Sequence, residues 1–173
     1  MTENEIYALI VSWENMPLVL RHISDSPENL DRLMSIALND QLDKSWRAMY
    51  LAEIIHEKNP KLIRPFLPAM TDFLLTTKNS SKKRHILKLI SLNDIPEEKM
   101  AVLLNYCIDI FISAEPVAVR VHAMQILYNI AQKETDFAGE LISLIETEIE
   151  FHGSAGIASR GRKLLKKLYM MRS

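Results

Sequence analysis

Glycine is scarce in this chain and unevenly distributed. All four glycines lie at or after Gly139, so the first 138 residues contain none. Tight hairpin turns and phosphate-binding loops both need glycine at positions that a side chain would strain or block. The absence therefore argues against β-hairpins and against nucleotide-binding loops over most of the chain.

The chain also offers little that could perform catalysis or hold a metal. Cys107 is its single cysteine, which excludes a disulfide within the chain and suits the reducing cytoplasm. The motifs G-x-S-x-G and H-E-x-x-H and the P-loop are absent. Only His85 and His122 fall at equivalent places in the pattern described below, and neighbouring helices would hold them about 10 Å apart, too far for one metal ion. We predict no catalytic residue, no cofactor and no metal site.

Long hydrophobic runs are missing as well. No apolar stretch approaches the roughly 18 to 20 residues that a membrane-spanning helix needs, and the first residues carry acids where a secretory signal has bases. The 21 basic and 22 acidic residues leave a formal net charge of -1. This balance attracts neither nucleic acid nor an anionic membrane to the protein as a whole. We expect a soluble, cytoplasmic protein with no membrane partner.

What the chain does contain is apolar residues at helical spacing. Leu62, Phe66, Met70 and Phe73 recur every three or four residues, as do the apolar residues of segment 117–130. Prolines and capping residues stand before several such segments, as in Ser26-Pro27. The pattern predicts helices over 3–13, 16–23, 27–39, 43–58, 60–77, 80–92, 96–113, 116–132, 136–151 and 156–171.

The predicted helices repeat in pairs. The second helices of successive pairs align as "SWRAMYLAEII", "SKKRHILKLI", "AVRVHAMQIL" and "ASRGRKLLKKL". A basic residue recurs at intervals of 36, 37 and 40 residues when Lys83 is taken for the second segment, although Arg84 also fits. Such a recurrence indicates helical hairpins that stack on one another and share a continuous core. Four positions after the basic residue we predict a buried apolar residue in each segment: Leu51, Leu87, Met124 and Leu164.

These features resemble the HEAT-repeat family, whose units pair an outer, often proline-kinked helix with an inner helix that has an arginine near its start. "LIRPFLPAM" contains such a kink at Pro65 and Pro68, and Arg47 and Arg120 match the arginine position. The resemblance implies an all-α fold, a right-handed α-α superhelix in a single domain. Its expected parts are a capping pair over 1–26 and hairpins over 27–58, 60–92, 96–132 and 136–171.

The recurring basic residues have two interpretations. They tie neighbouring repeats together through hydrogen bonds to side chains and helix ends, or they line a concave inner surface that binds a partner. The second interpretation predicts a noncatalytic scaffold for a protein or peptide partner. The candidate residues for either role are Trp46, Arg47, Lys83, Arg84, Arg120, Arg160 and Arg162.

A nucleic-acid function is the alternative. One group of HEAT-like proteins removes alkylated bases from DNA with a basic groove, aromatic residues and an acid, and this chain resembles them in Trp46 and its neighbouring bases. No aromatic cluster with a carboxylate is evident near Trp46 from the sequence, and the net charge does not favour phosphate binding. We therefore expect a protein partner before a nucleic acid.

The C-terminal segment is strongly basic. Residues 154–173 contain six bases and no acid. Either the acids of the preceding helix neutralise them, or the bases bind an acidic partner or nucleic acid. The first interpretation places Glu140, Glu146, Glu148 and Glu150 opposite Arg160, Arg162, Lys163 and Lys167. Apolar residues in "LKKLYMMRS" also make self-association through this end a possibility.

Overall fold

A computed structural model describes residues 1–172, and these residues form helices joined by short connections, with no strand among them. The expected all-α fold is confirmed. The α-helices are α1 (Glu3–Ile10), α2 (Met16–Ser24), α3 (Pro27–Ala37), α4 (Trp46–Lys58), α5 (Pro60–Ile63), α6 (Leu67–Leu74), α7 (Ser80–Ser91), α8 (Glu97–Phe111), α9 (Val117–Lys133), α10 (Ala138–His152) and α11 (Ala155–Arg172). Short 3-10 turns occupy Trp13–Asn15, Arg64–Phe66 and Thr135–Phe137.

Several helices begin where the sequence predicts. At the start of α1, the Thr2 hydroxyl accepts a hydrogen bond from the Glu5 backbone at 3.2 Å, and the Glu5 carboxylate accepts one from the Thr2 backbone at 2.6 Å. This reciprocal capping box satisfies two backbone donors that the helix itself leaves unpaired. At the start of α3, the Ser26 hydroxyl accepts a hydrogen bond from the Asn29 backbone at 3.3 Å, and Pro27 lies in the first turn.

The predicted helix over 60–77 is interrupted. It consists of α5, a 3-10 turn and α6, and it ends at Leu74. Pro65 and Pro68 lie at the interruption, and neither has the backbone N–H that a continuous helix needs there. Among the other helices, the largest differences are that α1 ends at Ile10 instead of 13 and that α4 begins at Trp46 instead of 43. The kink is therefore where the sequence places it, while the ends of some helices shift by a few residues.

The chain forms two compact units, each with its own apolar core. Unit 1 comprises Met1–Leu89, and unit 2 begins at Ile90. In unit 1, α3 packs against α1 and α4; in unit 2, α9 packs against α8 and α11. The organisation as one domain with residues 1–26 as a cap stays a prediction.

The apolar residues predicted from the repeat are buried. Leu51, Leu87 and Met124 are fully buried, and Leu164 is 2% exposed. The burial agrees with the prediction, although residues one position away, such as Ala52, Ile86 and Ala123, are fully buried as well.

One glycine permits a close approach between helices in unit 2. A Cβ atom at Gly161 of α11 would lie 2.8 Å from Cδ1 of Ile149 in α10, closer than real side chains approach. Gly161 therefore lets α10 and α11 pack tightly, and this contact fixes which sides of the two helices remain exposed.

Candidate partner-binding surface

Arg47 holds the end of a neighbouring helix. It lies in the first turn of α4, and its Nη1 donates to the carbonyl oxygen of Ile10 at 3.1 Å and to that of Val11. These carbonyls are at the C-terminus of α1, where a helix has unpaired acceptors and a partial negative charge. Arg47 thus stabilises the packing of α4 on α1.

Arg47 is also stacked within an aromatic cluster made of Trp13, Trp46 and Tyr50. Its guanidinium carbon lies 4.6 Å from the ring centroid of Trp13 and 5.5 Å from that of Trp46. Trp13 meets Trp46 at 5.7 Å and Tyr50 at 5.6 Å, both edge to face. Trp13 remains 49% exposed. The sequence analysis missed Trp13, because it lies in a connection outside the aligned helices.

In α7 the basic residue that contacts the segment at the end of another helix is Lys82. It directly precedes Lys83 and Arg84, the two candidates from the alignment. Its side chain is fully buried, and Nζ donates to the carbonyl oxygen of Asn39 at 3.1 Å and to Oδ1 of Asp40 at 2.9 Å. Lys83 is half-buried, and Arg84 is exposed. A shift of one residue rotates the side chain by about 100°, and at position 82 the side chain points to the segment after α3.

The ion pair between the buried Lys82 and the exposed Asp40 affects the protonation of both partners. Burial lowers the pKa of the Lys82 ammonium, and the hydrogen bond to Asp40 opposes that effect. For Asp40, burial would raise the pKa, but hydrogen bonds from Lys82 and Thr77 outweigh it, so the pKa of the carboxyl is lowered. Each group therefore helps to keep the other charged.

A half-buried carboxylate, Glu53, lies beside the aromatic cluster. Nδ1 of the buried His85 is 2.5 Å from Oε2 of Glu53, and Lys88 donates to the other oxygen of Glu53. The ring of Tyr50 packs edge-on against His85 at 5.7 Å. Burial alone would raise the pKa of Glu53, but the hydrogen bonds from His85 and Lys88 lower it from 4.5 to about 2.

This arrangement corrects one expectation. The sequence analysis saw no aromatic cluster with a carboxylate near Trp46, whereas the fold brings Trp13 to Trp46 from another segment. Glu53 belongs to the same helix as Trp46, and it is linked to the cluster through His85, on which Tyr50 packs. Both oxygens of Glu53 are already bound by His85 and Lys88. The Glu53 carboxylate therefore links α4 to α7.

Arg120 is buried in unit 2. Its Nε donates to the carbonyl oxygen of Phe111, the last residue of α8, at 2.8 Å, and its Nη2 donates to Oε2 of Glu148 at 2.8 Å. Both members of this ion pair are less than a tenth exposed. The expectation that Glu148 faces the bases of α11 is therefore wrong, because Glu148 is directed at α9.

The bases of α11 have a different environment. Nη1 of Arg160 donates to Oε1 of Gln125 at 2.8 Å, and Nζ of Lys167 lies over the ring of Tyr128 at 5.8 Å. Both contacts are to α9. Arg162 and Lys163 are exposed and form no ion pair with any residue of 1–172.

The acids of α10 also differ from expectation. Glu146 accepts a hydrogen bond from the Tyr169 hydroxyl, while Glu140 and Glu150 form no ion pair with α11 within the described chain. Neutralisation of α11 by α10 is thus not observed.

Charge in unit 2 is divided between its first and second helices. α8 and α10 together carry seven acids and one lysine, whereas α9 and α11 carry eight bases and no acid. Arg160, Lys163 and Lys167 are three and seven residues apart, so they share one side of α11. We call these three residues the basic stripe; it lies on the side next to α9.

The candidate residues from the sequence are therefore not one surface. Trp46 and Arg47 belong to the aromatic cluster of unit 1, and Arg120 is buried. Arg160 and Arg162 lie on the same helix, but a separation of two residues turns their side chains about 200° apart. Their assignment to binding stays a prediction.

Within residues 1–172, none of the helices combines the length and the apolar character that crossing a bilayer requires. In the same residues, no three side chains of His, Cys, Asp or Glu converge in a way that could hold a metal ion.

Comparison with known proteins gives one result. No curated protein and no solved structure shows a significant match to the chain. A family model described as "HEAT repeat domain" matches residues 8–168, which is nearly the whole chain. Together with the paired helices and their buried repeat positions, this match shows that the chain belongs to the HEAT repeat family.

Proposed function

We propose that the protein is a noncatalytic binding protein and that unit 2 holds an acidic segment of a partner protein along the basic stripe Arg160, Lys163 and Lys167. The observation that carries this proposal is the complete absence of acids from α9 and α11, next to two first helices that contain seven. A partner that lies along the second helices meets positive charge alone. An acidic peptide fits that condition.

Two of the three bases are already positioned. Oε1 of Gln125 accepts a hydrogen bond from Nη1 of Arg160, and Nζ of Lys167 lies over the ring of Tyr128. Gln125 is in turn hydrogen-bonded to Asn129 at 3.1 Å. Side chains that are ordered before binding lose less entropy when the partner arrives. The stripe is therefore better prepared for a ligand than three mobile surface lysines would be.

A protein partner agrees with the charges better than a nucleic acid does. Three bases neutralise few phosphates, and each phosphate contact contributes about 0.9 to the salt dependence of binding to duplex DNA. The acids of α10 lie on the adjacent helix and would repel a long phosphate backbone. In unit 1, the aromatic cluster surrounds the guanidinium of Arg47, and Glu53 is bound by His85 and Lys88, so neither is arranged for base excision.

The test uses fluorescence anisotropy with two labelled probes of equal charge, a glutamate-rich peptide and a single-stranded oligonucleotide, at low and high salt. The stripe variant is Arg160→Glu/Lys163→Glu/Lys167→Glu. Its matched control is Arg21→Glu/Lys61→Glu/Lys78→Glu, which changes net charge equally at exposed positions of unit 1.

We expect the stripe variant to weaken peptide binding by about tenfold or more, the effect of losing roughly 1.4 kcal/mol of attraction. The control variant should change it much less. Equal losses of peptide affinity in the two variants would show that only net charge matters, and this result would overturn the proposal. Tighter, stripe-dependent binding of the oligonucleotide would replace it with a nucleic-acid function.

A further inference from the structure

The hairpin of α10 and α11 has a side that faces away from α9. On α10, Glu148 points to α9 and binds Arg120, and Glu146 and Glu150 lie two residues before and after it, about 160° to 200° around the helix. On α11, Arg160 faces α9, so Arg162 and its neighbour Lys166 lie on the other side by the same argument. The hydrogen bond from Tyr169 to Glu146 shows that these sides of the two helices adjoin.

This side carries two opposite pairs of charge. Glu146 and Glu150 are four residues apart on α10, and Arg162 and Lys166 are four residues apart on α11; all four are exposed. None of them forms an ion pair with a residue of the described chain. We call Glu146, Glu150, Arg162 and Lys166, with the half-exposed Tyr169, the mixed-charge face. It differs from the basic stripe, which lies on the other side of α11.

We infer that the mixed-charge face binds a second copy of this chain. A twofold axis that runs between α10 and α11, parallel to them, places α10 of each copy on α11 of the other. Both contacts then join acids to bases at once, because a twofold interface uses the same surface twice. A partner of one charge sign would be attracted by one helix and repelled by the other, so the surface fits its own copy better than it fits a uniformly charged partner.

The size of the face sets the expected strength. Fifteen helical residues span about 22 Å, and two adjacent helices are about 20 Å wide, so each copy would bury roughly 400 Å². Stable interfaces bury about 800 Å² on each side, so the dimer should be weak. Exposed ion pairs are screened by salt, and its dissociation constant should therefore rise with ionic strength.

Sedimentation equilibrium of the full chain, from micromolar to millimolar concentration and at low and high salt, tests the inference. The acid-reversed variant is Glu146→Lys/Glu150→Lys, and the base-reversed variant is Arg162→Glu/Lys166→Glu. We expect the parent to dimerise at low salt and each variant alone to remain monomeric. A mixture of the two variants should form a heterodimer, because one face is then entirely basic and the other entirely acidic.

The mixture also controls for loss of folding, because two unfolded variants could not form a defined heterodimer. The control, Arg160→Glu/Lys163→Glu, changes the same helix by the same charge and should keep the dimer. A parent that stays monomeric at every concentration would overturn the inference, as would a dimer that survives both reversals. The inference does not depend on the acidic partner: the control should lose the glutamate-rich peptide while keeping the dimer, so the two proposals can fail separately.

Discussion

Unit 1 uses the basic residues of its second helices in one way, whereas unit 2 uses them in two. In unit 1, Arg47 and Lys82 both lie in the first turn of their helix and both donate to carbonyl oxygens at or just after the end of another helix. In unit 2, Arg120 of α9 does the same. Arg160 is the sixth residue of α11, beyond its first turn, and it binds the side chain of Gln125 instead.

The comparison between the first-turn bases and Arg160 shows where in a helix a repeated basic residue stabilises the packing of a neighbouring helix. A cation in the first turn is unfavourable for its own helix, because the N-terminus carries a partial positive charge. Hydrogen bonds from a charged donor to the free carbonyls of a neighbouring helix contribute about 1.5 to 3 kcal/mol and offset that cost. α11 has no such contact at its start, and its bases extend along the exposed sides of the helix. Position within the helix therefore separates the bases that hold the fold from those that a partner can reach.

The largest effect should come from breaking the buried base of unit 2. Arg120→Met removes both hydrogen bonds and leaves Glu148 buried without its cation, which should cost about 3 to 5 kcal/mol of unfolding free energy. Urea denaturation measures it. The double variant Arg120→Met/Glu148→Met should recover part of the loss, because it leaves no unpaired buried charge. A single variant as stable as the parent would contradict the buried ion pair.

Truncation of the repeat's core residues should have a similar but slightly smaller effect in both units. Leu51→Ala and Leu127→Ala each leave a cavity at a fully buried position, with an expected loss of about 2 to 5 kcal/mol. Leu75→Ala is the control, since Leu75 is 40% exposed and should lose far less. Urea midpoints that do not separate the buried leucines from Leu75 would show that the helical register is wrong.

Lys82→Met should destabilise unit 1 by about 1 to 3 kcal/mol, because methionine keeps the buried stem while Asp40 and the Asn39 carbonyl lose their donor. Arg84→Met, two residues later on the exposed side, should stay within about 0.5 kcal/mol of the parent. Thermal or urea unfolding of the two variants compares them directly. The reverse order would return the structural role to Arg84, one of the two residues that the alignment allowed.

The smallest effect is a change in pH dependence. The pKa of Glu53 is lowered to about 2 in the folded protein, so Glu53 contributes stability that is present above its ordinary pKa of 4.5. This contribution disappears as the pH falls from about 4.5 toward 2. Glu53→Gln should therefore unfold at a urea midpoint that depends less on pH over this range. Glu57→Gln, one turn further along α4, serves as the control and should keep the dependence of the parent.

Local features of the fold could be predicted because they depend on local chemistry. Thr2 and Glu5 are three residues apart, so their capping box depends on neighbouring residues alone. Pro65 and Pro68 interrupt their helix because proline lacks the backbone N–H, whatever packs against that helix. The buried positions followed from the same kind of regularity. A period of three to four residues fixes the apolar side of a helix without any knowledge of its neighbours.

The candidate site was harder to predict because small rotations decide it. Lys82, Lys83 and Arg84 are all basic, yet each successive residue turns by about 100°, and of the three only Lys82 is fully buried. Trp13 gave no signal because it lies in a connection that does not repeat. Glu148 was assigned to α11, the next helix along the chain, and it binds α9 instead.

The sequence alone determined that this protein is built from helices, where most of those helices lie, which apolar repeat positions are buried and where one helix is kinked. These properties arise from hydrogen bonds and burial within a few residues, so they are carried by spacing and composition. Tertiary structure decided which bases hold helix ends, which carboxylates hold those bases, and which charges on α10 and α11 remain unpaired. Those outcomes depend on the rotation of one helix against another, and charged residues of the same type are indistinguishable until that rotation is known.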